Sequence, residues 1–143
     1  MKSLTLILAT VAILLIIFSC KTNTVKDREN IIRTEHKFAE MAAEKGIADA
    51  FYHFAADSAV ILRGGKLIKG KSAIRDYYLK NLKPGTRLLW EPDHADASGD
   101  LGYTWGKYTH MVPDSTGKIT ESYGIFHTVW KRQADGNWRF VWD

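Results

Sequence analysis

Apolar positions dominate the start of this chain and then change rhythm twice. From Leu4 to Phe18 they are continuous apart from Thr5 and Thr10, with a single charge, Lys2, ahead of them. From residue 30 to 46 they take helical spacing, with Ile31, Ile32, Glu35, Phe38, Ala39, Ala42 and Ala43 on the periodic positions and Gly46 as the stop. A second short helix is predicted over 47–56 and a third over 71–83, closed by Pro84-Gly85. Between them lie two short strands, 59–62 and 66–68, joined by Gly64-Gly65.

From residue 87 onward the pattern is that of strands. The predicted spans are 87–97 with a break at Pro92, 101–112, 118–132 and 138–143. Turns fall at Ser98-Gly99-Asp100, at 113–117 and at 134–137. The second and third of these strands are rich in Tyr, Thr and Trp, which suit a pleated, half-buried surface. Helices first and successive hairpins afterwards is the order of an α+β domain, with helices packed on one face of an antiparallel sheet. No long linker or internal repeat interrupts it.

The N-terminal apolar run is short of the roughly 20 residues that a membrane span needs, and its charged start matches a secretory signal. Ile17-Phe18-Ser19-Cys20 resembles a bacterial lipobox, with Phe18 where a small residue is usual. That resemblance implies cleavage after residue 19 and lipidation of Cys20. Export across the inner membrane follows, with anchoring in the cell envelope, at the periplasmic or surface face of the outer membrane. Residues 20–29 then read as the lipidated cysteine and a polar tether, and residues 30–143 as one domain. Cys20 is the only cysteine, so neither an internal disulfide nor a cysteine metal site is available.

The net charge is +4. Loss of residues 1–19 takes away Lys2 and leaves +3. Bases alternate with acids, as in Lys26-Asp27-Arg28-Glu29, so no basic stripe points to nucleic acid. No Gly-rich phosphate loop precedes a helix, no nucleophile elbow is present, and His94 with Asp93 and Asp96 reads as a turn rather than a metal site. The expectation is therefore no cofactor and no metal.

Several segments, in order, resemble the nuclear transport factor 2-like superfamily. They are Phe54-Ala55-Ala56-Asp57, Lys69-Gly70-Lys71 with Ile74, the run from Ser98 to Tyr108, the run from Gly124 to Arg132, Asp135-Gly136-Asn137-Trp138, and Asp143. Within the superfamily the pattern is similar to the SnoaL-like branch, in particular the group called domain of unknown function 4440. The resemblance implies a cone-shaped α+β barrel, a curved antiparallel sheet around a pocket with the N-terminal helices packed on it. It also implies a homodimer as a common state. It does not imply a reaction, because the fold hosts enzymes, binders and association modules.

Period-two alternation puts Thr104, Gly106, Tyr108 and His110 on one face and Tyr103, Trp105 and Lys107 on the other. Likewise Phe126, Thr128 and Trp130 oppose His127 and Val129, and Trp138, Phe140 and Trp142 oppose Val141 and Asp143. Which face looks inward is open at this level. The candidate ligand-binding residues are Trp90, Tyr108, His110, Phe126 and His127, for a small apolar or aromatic molecule.

The candidate catalytic pair is His127 with Asp143, where the carboxylate would orient and activate the imidazole as a general base. The plainer and favoured reading makes His127 an ordinary sheet residue and Asp143 a frayed chain end. Steroid-isomerase relatives carry a base carboxylate at the end of the first strand, where this chain has Arg63, which cannot act as a base. An inward Arg63 would bind a carboxylate or phosphate; the adjoining Gly64-Gly65 favours an outward, solvated one. Three readings remain: an anchored binding domain, a SnoaL-like hydrolase, cyclase or dehydratase, and a dimeric interaction module.

Overall fold

Helix α1 spans Lys2–Lys45 in the computed structural model, which describes residues 2–143, with side chains described from Thr24 onward. It is followed by α2 (Ile47–Phe54), β1 (Ala55–Arg63), β2 (Lys66–Lys69), α3 (Lys71–Asn81), β3 (Arg87–Ser98), β4 (Leu101–Pro113), β5 (Ile119–Arg132) and β6 (Trp138–Trp142). The signal-peptide and lipidation expectations, Cys20 included, fall on residues whose side chains lie outside the described ones. Residues 24–29, expected as tether, are helical. Asp27 is buried there and pairs with Arg132 at 2.5 Å, so this turn of α1 is fastened to the sheet. Gly46 separates α1 from α2 at φ 93°, a backbone angle that glycine reaches without steric cost.

The six strands form one curved, unclosed sheet in the order β2-β1-β6-β5-β4-β3. The fold is α+β, as the pattern of elements indicates. The sheet is mixed rather than wholly antiparallel, because β6 lies parallel to β1, with Val60 opposite Trp142. The chain end is not frayed. Asp143 donates its N–H to the Val60 carbonyl at 3.1 Å, and its own carbonyl accepts from Leu62 at 3.0 Å. A buried backbone must satisfy its polar groups, and β1 supplies those partners.

Pairing along the long hairpins is in the register that alternation requires, with Thr104 opposite Thr128 and Tyr108 opposite Gly124. The predicted break at Pro92 is a β-bulge between Pro92 and His94. Burial settles the open question of faces. Thr104, Gly106, Thr128, Trp130, Trp138 and Phe140 are inside, and Tyr103, Trp105, Lys107, Tyr123, Ile125 and His127 are exposed. The core is aromatic around Phe38 of α1, whose ring meets Phe51 at 4.8 Å, Trp90 at 4.9 Å and Phe140 at 5.7 Å.

Candidate functional site

Two glycines on the inner faces of β4 and β5 shape the space under the sheet. A Cβ at Gly124 would sit 2.6 Å from the Tyr108 ring opposite it, so the missing side chain is what lets that ring lie against β5. A Cβ at Gly106 would meet the Glu91 carbonyl at 2.0 Å and the Phe126 ring at 2.9 Å. Here the glycine admits both the β3 bulge and the phenyl ring. β6 ends at Trp142 and pairs β5 only from Val129 on, which leaves the Ile125–Thr128 stretch of β5 without a neighbour on that side.

A cavity of about 580 Å3 opens at this end. Aromatic rings line much of it, among them Phe51, Tyr78, Trp90, Tyr108, Phe126 and Trp142. Arg63 and Asp143 form its charged wall. The Arg63 guanidinium is ion-paired to the Asp143 carboxylate, donates to the Tyr78 hydroxyl at 3.0 Å and lies over the Phe51 and Tyr78 rings. Asp143 accepts a further bond from Thr128 at 3.0 Å. The expectation of an outward Arg63 is thereby corrected. Only this direction offers the guanidinium a carboxylate, a phenol and two ring faces. Burial drives the Tyr78 phenol above its ordinary range, so it stays protonated beside the cation.

The residues expected from sequence are placed as follows. Trp90, Tyr108, His110, Phe126, His127 and Asp143 all border the cavity. His127 does so at the open edge of β5, with its ring stacked on Tyr103 of the outer face at 5.8 Å. The His127–Asp143 pair does not form. The Asp143 carboxylate is engaged by Arg63 and Thr128, and alternation turns the His127 imidazole outward. Trp105 also points outward, opposite His127 and beside His94, away from the cavity.

Sequence reasoning missed Glu35. This carboxyl is fully buried behind the cavity wall. It accepts from Trp90 Nε1 at 2.6 Å, Thr104 Oγ1 at 2.5 Å and Trp130 Nε1 at 3.1 Å. One side chain of α1 therefore ties β3, β4 and β5 together. Desolvation pushes its pKa up to about 7, and the nearby Asp143 charge adds to the rise, although all three hydrogen bonds favour the ionised form. The available signal was a glutamate among Ile31, Phe38 and Ala42 on the apolar stripe of a helix. A carboxyl in such a place must find buried donors.

No protein-family model matches the sequence, and no curated protein does. Solved structures do match in shape. A protein from Novosphingobium aromaticivorans, described as nuclear transport factor 2-like with a cystatin-like fold, is 19% identical with a TM-score of 0.68, over 87% of this chain and 84% of that one. A ketosteroid isomerase-like protein from Erwinia carotovora atroseptica is 16% identical, TM-score 0.65, over 78% and 88%. The association domain of CaMKII from C. elegans is 16% identical, TM-score 0.63, over 84% and 95%. At these identities the likeness is one of architecture. The helices, the six-stranded sheet and its order, taken with these likenesses, give this chain the nuclear transport factor 2-like fold.

Proposed function

We propose that this chain is a lipoprotein of the bacterial cell envelope whose domain holds a small, partly aromatic molecule in the cavity beside Arg63. The observation that carries the reading is the cavity wall itself: aromatic rings on several elements around a fixed guanidinium–carboxylate pair. Apolar surroundings with a few convergent polar groups are what small-molecule sites need. Support for the anchor is the apolar run ending at Ser19-Cys20.

The test of binding is a thermal-shift screen of the full chain in detergent against a diverse metabolite library. A ligand that binds only the folded state raises the melting temperature by mass action. The expected result is a hit whose shift disappears when Trp90 and Tyr108 are both replaced by alanine. A library-wide absence of shifts overturns the binding reading. For the anchor, intact-mass measurement from a bacterial host tests whether Cys20→Ser abolishes an acyl mass increment; an unmodified wild-type cysteine overturns it.

The enzyme alternative calls for a general base from His127, His110 or Asp143, all of which border the cavity, although His127 and Asp143 do not pair. A second reading has a specific observation behind it. The outer face of β4 and β5 exposes Tyr103 and Trp105 on one strand and Tyr123 and Ile125 on the other, with Lys107 opposite Ile125 and His127 opposite Trp105. Large apolar side chains exposed on one sheet face suit association with a second copy. The neighbour named an association domain has the same architecture.

A further inference from the structure

Successive residues of α1 mark levels along β3. Asp27, buried, pairs with Arg132 at 2.5 Å, and the same guanidinium donates to the Gly99 carbonyl at 2.9 Å, in the turn between β3 and β4. Ile31, also buried, fills the space that a Cβ on Gly102 would take beside Ala97. Glu35 accepts from Trp90, and the Phe38 ring meets that indole at 4.9 Å. Trp90 and Phe38 border the cavity, so α1 moves away from the cavity as it is followed toward its N-terminus. At Asp27 it has reached the opposite end of the domain, beside the turns at 98–100 and 133–137.

The length of chain between this end and Cys20 limits how an anchored domain can stand. α1 is continuous from Lys2 to Lys45, and from Cys20 to Asp27 a helix covers about 10 Å. Fully extended, the same stretch reaches at most about 25 Å. The cavity-wall residue Leu88 lies about 30 Å from Ser98 along the twisted strand β3. A lipid on Cys20 therefore holds the turns at 98–100 and 133–137 near the membrane, and the connection is too short to bring the cavity round to it. The Asp27–Arg132 pair and the buried Ile31 keep this part of α1 seated on the sheet. We propose, resting on the anchored binding reading above, that the cavity opens away from the bilayer, onto the aqueous phase from which its ligand enters.

The experiment uses the lipidated full chain in vesicles of phosphatidylethanolamine and phosphatidylglycerol that carry a head-group spin-labelled lipid. A fluorophore is attached through Ala134→Cys, on the 133–137 turn, or through Lys83→Cys, next to the wall residue Leu82; both positions are exposed. An acylated Cys20 has no thiol left to react. The expected result is a loss of fluorescence at Ala134→Cys and none at Lys83→Cys. Equal quenching at the two positions, or stronger quenching at Lys83→Cys, overturns the orientation. Melting temperatures guard against misfolding, and Asn137→Cys and Lys66→Cys, also exposed, report on the same two ends if either first variant does not fold. Flotation separates this proposal from the anchor: an unacylated chain that does not float with the vesicles overturns both, whereas a floating chain with the reverse quenching overturns the orientation alone.

Discussion

The indole of Trp90, on β3, donates to the carboxyl of Glu35, on α1, at 2.6 Å, so a ring that borders the cavity is fixed by an acid buried in the core. The same carboxyl is held by Thr104 and Trp130. An indole N–H can only donate, so Trp90 needs an acceptor at position 35, whereas Trp130 also has Thr104 Oγ1 at 3.0 Å.

Removing that acceptor strands the Trp90 N–H and the buried Thr104 hydroxyl and opens a void, while the Trp130 N–H keeps Thr104 Oγ1 at 3.0 Å. Glu35→Ala is expected to lower unfolding free energy by about 3 kcal/mol or more. Urea denaturation monitored by tryptophan fluorescence measures it. Glu35→Gln keeps one carbonyl oxygen and the volume, and a cost matching that of alanine would contradict this account of the network.

The same residue sets a pH dependence. Glu35 titrates near 7 in the folded protein against 4.5 as its ordinary value, so the folded state holds the proton more tightly. Its contribution to stability is full below pH 4.5 and is lost as pH rises through 7, on the order of 3 kcal/mol across that window. Parallel denaturation curves at pH 5 and 8 for wild type and Glu35→Gln isolate this share. The wild type is expected to lose more stability than the variant, and equal losses would remove Glu35 from the explanation.

Gly106 faces the bulge of β3, where a Cβ would strike the Glu91 carbonyl at 2.0 Å and the Asp93 nitrogen at 2.8 Å. Backbone cannot swing aside as a side chain does. Gly106→Ala is therefore expected to cost about 3 kcal/mol, the upper end of overpacking. At Gly124→Ala the nearest atoms are those of the Tyr108 ring, at 2.6 Å, a side chain rather than backbone, so it is expected to cost less while moving that ring into the cavity. Differential scanning calorimetry of the two variants tests the ranking.

If the exposed sheet face seats a second copy, charges placed on it will split the pair. Trp105→Glu and Ile125→Lys together are expected to shift the sedimentation profile from dimer to monomer without lowering the melting temperature of the monomer. A wild type that sediments as a monomer at high concentration excludes this role for the face.

Much of the fold was legible because its signals are local. Tyr, Thr and Trp alternation marks β4 and β5, and Pro92 marks the interruption of β3. The parallel β1–β6 contact was not legible, since it joins Val60 to Trp142 across most of the chain and no local rule encodes that pairing. The start of α1 was placed too late because Asp27 reads as a polar tether residue until Arg132, far along the chain, gives it a buried partner. In the site, the aromatic residues Trp90, Tyr108 and Phe126 were expected from their types. Arg63 was read as outward because its neighbours are turn glycines, whereas its direction is set by Asp143 and Tyr78.

By itself the sequence determined the kinds of element, their order and, away from the irregular end of β6 where Trp142 lies opposite Val129, which side chains share a face, because backbone periodicity and turn chemistry act over a few residues. Tertiary structure alone decided which face is inside, that Asp143 pairs with Arg63 rather than with His127, and that Glu35 titrates near 7. Those outcomes depend on desolvation and on charges brought close from distant segments, and neither exists until the sheet has curved over the helices.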